Sequence, residues 1–185
     1  MKKLICLPVL VLALAGCSAG SAELEEALAF RSAILGAQKV SFQAQISADY
    51  IDHVEQFTLN CTADSAGAVT FEVAEPEEIS GITGTVAGTE GTLNFDDTIL
   101  AFPLMADERL SPVSGPWVMM KALRSGCITS CGQEGELLRV TVDDSYEDDA
   151  LTVEVWLSGQ EIVAAEISWQ GKRQMTMEIE GFGRL

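Results

Sequence analysis

A single histidine, His53, and few basic side chains, 11 Lys and Arg against 28 Asp and Glu, set the first limits on this chain of 185 residues. No nucleophile is placed beside that histidine. There is no Gly-x-Ser-x-Gly elbow, no His-Glu-x-x-His and no glycine-rich phosphate loop, so no enzymatic role is expected. The formal charge of −17 repels phosphate, which makes nucleic acid a poor partner, and an anionic bilayer cannot hold such a protein by charge. Aromatic residues are only 6% of the chain, too few for a carbohydrate platform built from exposed rings. Beyond residue 16 no apolar run approaches the roughly 20 residues that cross a bilayer. The remainder of the chain has the length of one ordinary domain, with material for its own core.

What the sequence does have begins at the N-terminus. Two lysines precede an apolar stretch from Leu4, which ends in Leu14-Ala15-Gly16-Cys17. The stretch is short for a transmembrane helix and has the layout of an export signal. Leu-Ala-Gly-Cys resembles the lipobox of bacterial lipoproteins. That resemblance implies a signal peptide over residues 1–16 and a diacylglyceryl thioether on Cys17, which would tether the protein to the extracytoplasmic face of a membrane. In a Gram-negative host the outer membrane is a possible destination. Two or three acyl chains hold firmly where one holds marginally, each buried methylene contributing about 0.8 kcal/mol. Residues 17–21 form a short small-residue tether to a single domain over residues 22–185.

Leu24, Ala27, Leu28, Phe30, Ile34 and Leu35 share a broad helical stripe, with Ser21 to start the helix and Gly36 to end it. The period then changes from 3.6 to 2. Val40, Phe42, Ala44, Ile46 and Ala48 alternate with polar residues, and similar alternation recurs at Phe57–Cys61, Val69–Val73, Leu93–Phe95, Leu138–Val142, Leu151–Leu157, Val163–Trp169 and Met175–Ile179. Short turn signals between them imply antiparallel hairpins and about ten strands. From Leu110 to Gly126 the alternation stops. Ser114-Gly115-Pro116 can open a short helix whose Trp117, Val118, Met119, Met120 and Leu123 cover too much of its circumference for a surface helix. That segment should be enclosed, either as plain core or as the wall of an adaptable apolar pocket.

An amphipathic helix, a long meander and an apolar helical insertion resemble the half-barrel of the bacterial lipoprotein carriers LolA and LolB and their relatives. The local match is Val69-Thr70-Phe71-Glu72-Val73-Ala74-Glu75-Pro76-Glu77-Glu78-Ile79, a strand entering a proline-marked corner, followed by Gly91-Thr92-Leu93-Asn94-Phe95-Asp96. The fold class this implies is mainly β with α: a strongly curved antiparallel sheet, the half-barrel, with an N-terminal helix and a short helical insertion. One helix is expected on each sheet face, which would give Trp156 a partner opposite Val155 and Leu157. A two-sheet sandwich is the alternative.

The resemblance further implies that an acyl chain or other apolar ligand binds between the concave sheet and its cover. Phe71, Val73, Phe95, Val140, Val153 and Val155 would line that cavity, and Trp117, Met119 and Met120 would close it. The competing expectation is a non-catalytic envelope interaction or sensory domain with a solid core. In either case a monomeric domain is expected.

Cys61, Cys127 and Cys131 are thiols in an exported protein, where a disulfide is the first expectation. In an extended strand Cys127 and Cys131 stand about 13 Å apart, beyond the roughly 4.4–6.8 Å between the Cα atoms of a bridge. They can pair only if Ile128-Thr129-Ser130 turns; the favoured expectation is that Cys61 pairs with one of them across neighbouring strands, with Cys131 preferred and the other thiol buried and free. The spacing of these cysteines and His53 is not that of a zinc finger or ribbon, and the acidic run from Asp143 to Asp149 lacks the glycine and distant glutamate of a calcium loop. No metal and no cofactor is expected.

Overall fold

The computed structural model describes residues 19–49, 53–96, 98–106, 109–147 and 149–185. The leader and Cys17 lie outside these residues. Helix α1 runs over Ala19–Gly36, so the last residues of the expected tether belong to it. Strands β1 (Lys39–Asp49), β2 (Val54–Asp64), β3 (Val69–Glu75), β4 (Thr83–Ala87), β5 (Glu90–Phe95) and β6 (Thr98–Pro103) come next as a meander. A small hairpin, β7 (Met105–Ala106) and β8 (Arg109–Leu110), leads through a 3-10 turn into α2 (Gly115–Ser125). A second meander comprises β9 (Cys127–Glu134), β10 (Leu137–Asp143), β11 (Leu151–Ser158), β12 (Glu161–Trp169) and β13 (Lys172–Arg184).

The large sheet has eleven strands in the order β6-β5-β4-β3-β2-β1-β13-β12-β11-β10-β9, all neighbours antiparallel. It is open, with β6 and β9 at its edges, and forms the half-barrel. The two meanders meet at its centre, where β1 pairs with β13 from Val40 opposite Arg184 to Ala48 opposite Met175. Gly181, at φ +62°, sits where this register slips, a conformation glycine adopts without strain.

Period-2 alternation decides which face is dry. Along β3 the residues Val69, Phe71 and Val73 are buried while Thr70 and Glu72 are exposed, and β11 buries Leu151, Val153, Val155 and Leu157 in the same way. Phe30 of α1 meets Phe182 of β13, with ring centroids 6.1 Å apart, and the start of α2 rests on Met175 and Met177 of the same strand. Both helices therefore pack on one face of the sheet, not one on each. Trp156, on the other face, donates from Nε1 to Glu134 Oε2 at 3.0 Å. α1 buries only Ala27, Phe30 and Ile34 of its expected stripe, leaving Leu24, Leu28 and Leu35 exposed.

The route of the chain explains why α2 is apolar almost all round. β6 and β9 are opposite edges of the sheet, so the crossover between them must traverse the dry face. The helix that makes this crossing buries eight of its residues, from Gly115 to Met120 and then Ala122 and Leu123.

Candidate functional site

The N-terminus of α2 is placed by what Gly115 lacks: a β-carbon there would stand 2.5 Å from Met175 Sδ. Pro116 occupies the first turn, where its missing N–H costs no helical hydrogen bond. At the other end Gly126 donates its N–H to Ala122 O at 2.8 Å, so close to β10 that a β-carbon would meet Asp143 O at 2.5 Å. One flank of the helix is pinned to the β2–β3 turn. Trp117 Nε1 donates to Gly67 O at 3.0 Å, and Arg124 Nη1 donates to Asp64 O.

Beside this pinned stripe α2 is not fully covered. Between it, the end of β6 and the β7–β8 hairpin lies a cavity of about 530 Å³, within the size range of small-molecule sites. Leu104, Met105, Leu110, Trp117, Val118 and Leu151 form its apolar walls, and Thr89, Lys121 and Asp144 supply polar groups. The hairpin that borders it is tied down twice: Ser111 N–H donates to Leu104 O at 2.8 Å and Leu110 N–H to Gln174 Oε1 at 3.4 Å. This arrangement can take an apolar body and offer a few polar contacts to one end of it.

Most residues expected to line a cavity do not. Val73, Val140, Val153 and Val155 are buried in the core, and Met119 and Met120, expected as cover, are buried members of the same core cluster. The physical reason is the crossover helix, whose own apolar girth occupies the concavity. Phe71 is likewise buried, with its ring over Gly84, and borders a separate groove of about 960 Å³ with a mixed polar and apolar lining, along β1–β6. Phe95 stands at the tip of the β5–β6 hairpin, 60% exposed. Of the nine expected residues, Trp117 alone borders the apolar cavity. Met105 and Leu110 were missed because two-residue strands leave no periodic trace, and Leu104 because it lies in the link before β7; the apolar cluster from Ile99 to Met105 was the available signal.

The expected disulfide is absent: Cys61, Cys127 and Cys131 are all free thiols. Cys61 lies on β2 and the other two on β9, with five strands between, so they are not on neighbouring strands. Burial pushes the Cys61 thiol up to about 12. Burial also raises the Cys131 thiol, partly offset by Arg31 of α1. His53 is exposed, with Nε2 3.2 Å from Glu55 Oε1.

No protein-family model and no curated protein matches the sequence. Solved structures do resemble it. A LolA superfamily protein from Nitrosomonas europaea superposes with a TM-score of 0.47 at 8% identity, covering 91% of this chain and 94% of that one. A putative outer membrane lipoprotein-sorting protein domain from Vibrio parahaemolyticus gives 0.48 at 6% identity, over 89% and 93%. The lipoprotein LppX from Mycobacterium tuberculosis gives 0.40 at 12% identity, over 87% and 93%. The structural neighbours thus include LolA superfamily and lipoprotein-sorting domains, but at these scores none of them assigns a role to a residue here.

Proposed function

We propose that this is an exported lipoprotein, anchored through Cys17 to the extracytoplasmic face of a membrane, whose domain takes up an acyl chain or similar apolar ligand beside α2. The observation that carries this reading is the apolar cavity of about 530 Å³ walled by Trp117 and the β7–β8 hairpin. A void lined this way is favourable for a hydrocarbon, since each buried methylene contributes about 0.8 kcal/mol. Among the described residues no helix is long and apolar enough to cross a membrane. The lipobox would therefore supply the attachment, and the acidic surface favours neither nucleic acid nor an anionic bilayer. The role proposed is non-catalytic, carried out by a monomeric domain.

One observation favours a second reading. Val73, Val140, Val153 and Val155 are packed solid against their neighbours, as suits an envelope interaction or sensory domain that carries nothing. Organic extraction of the purified protein followed by mass spectrometry separates the two, because the lipid on Cys17 is covalent and stays behind. Recovery of a co-purified lipid, and uptake of a fluorescent fatty-acid analogue, is expected for the carrier. An empty protein that takes up no analogue would leave only the interaction domain.

A further inference from the structure

We infer that the ligand of this cavity is an anionic single-chain amphiphile, a long-chain carboxylate, whose head is held by Lys121 at the cavity mouth; this rests on the apolar-ligand reading above. Three observations on α2 and β10 support it.

First, the polar groups on the cavity wall are few and unequal. Asp144 is committed to the fold: Oδ1 accepts the Leu151 N–H at 2.8 Å, Oδ2 accepts from Lys121 Nζ at 2.8 Å, and its side chain is 10% exposed. Lys121, at 37% exposure, keeps access to solvent. An ammonium has three N–H donors, and among the described residues Asp144 is the one hydrogen-bond acceptor for them. The group with spare capacity is therefore the cation.

Second, that cation sits at the boundary between apolar wall and water. Lys121 Nζ is 5.5 Å from the centroid of the Trp117 ring, which forms part of the cavity wall. A chain lying along Trp117, Val118 and Leu151 would bring its terminal group to Nζ. Third, hydrogen-bond capacity selects the head. The cavity wall carries one ammonium and one carboxylate, and both Asp144 oxygens already accept a hydrogen bond while Lys121 Nζ keeps N–H donors to offer. An anionic head would be met by those donors. The general negative charge is screened over about 8 Å at physiological salt and acts mainly on approach.

The test uses the full lipidated chain in phosphatidylcholine vesicles, irradiated at about pH 9 so that a carboxylate is ionised. The probes are a diazirine-bearing palmitic acid and the alcohol of the same chain. Labelling of the cavity-wall peptides is read by mass spectrometry. The acid is expected to label about tenfold more than the alcohol, as for a charge-assisted hydrogen bond. Lys121→Met is expected to abolish the preference for the acid over the alcohol, and Lys121→Arg to keep it. Equal labelling by acid and alcohol in the unaltered protein would overturn the anionic-head assignment while leaving the apolar ligand standing. Absence of labelling by both would sink the apolar ligand itself. The ratio in the unaltered protein decides the matter even if Lys121→Met fails to fold.

Discussion

Phe71 and Gly84 are directly opposed across β3 and β4, and the phenyl ring occupies the place of the missing side chain: a β-carbon on Gly84 would fall 2.3 Å from Phe71 Cζ and 2.6 Å from Thr92 O. The same device recurs one hairpin later, where the ring of Phe102 covers Gly91, 2.1 Å from where its β-carbon would be. Aromatic rings laid over glycines in this way pin strand register.

The two pairs differ in what can give way. Gly84→Ala meets backbone as well as a buried ring and is expected to destabilise by about 3 kcal/mol. Gly91→Ala meets first the ring of the half-buried Phe102 on the edge strand, which can swing outward, so about 1 kcal/mol or less is expected. Urea denaturation of both variants checks the ordering; an equal cost would show that Thr92 O is not the obstacle.

Core and cavity should separate in a pair of methionines. Met119 is fully buried, and Met119→Ala should cost about 2–5 kcal/mol while leaving ligand uptake intact where the protein stays folded. Met105 lines the cavity and is only partly buried, so Met105→Ala should cost little stability and weaken uptake of a fluorescent fatty acid. Thermal melts and a titration of each variant read both quantities.

The thiols should react in two classes. Cys127 and Cys131 are half-buried and should be alkylated in the native protein, whereas Cys61 should react only on unfolding. Because burial raises the folded Cys61 pKa to about 12, the native state retains a proton that the unfolded chain gives up above its ordinary thiol pKa near 8.5. This contribution is whole below that pH and is lost as pH rises toward 12. Cys61→Ala should flatten the decline in stability between about pH 9 and 11, measured by denaturant midpoints.

Replacement of Cys17 tests the anchor. Cys17→Ala should remove the diacylglyceryl mass and release the protein from the membrane fraction after leader processing. Retention with the leader attached would mean that the apolar stretch itself holds the protein in place.

How much of this could be read from the sequence varies by element. The strand of Val69, Phe71 and Val73 was legible because one wet face and one dry face leave a period of 2 in the residues themselves. β6 was not, since Thr98 to Ala101 are exposed on both faces and obey no alternation. β9 was hidden for a related reason: it is an edge strand whose register with β10 slips between Thr141 and Val142. The apolar character of α2 was visible, and so was its enclosure. Whether the dry face before Val153 and Val155 stood empty was not, because alternation records that water is excluded and is silent on what excludes it. Lys121 is one basic residue among 11; only the fold places its ammonium 2.8 Å from Asp144 and over Trp117.

The seam between β1 and β13 joins segments more than a hundred residues apart at the middle of the sheet. On a chain synthesised from its amino end, β1 emerges early and must wait, one side unzipped, until the final strand arrives. Loop-closure entropy makes so distant a pairing slow to form. The sheet is therefore complete only once nearly all of the chain is present, and loss of the last dozen residues would leave an unsatisfied row of amides along its centre line instead of at a margin.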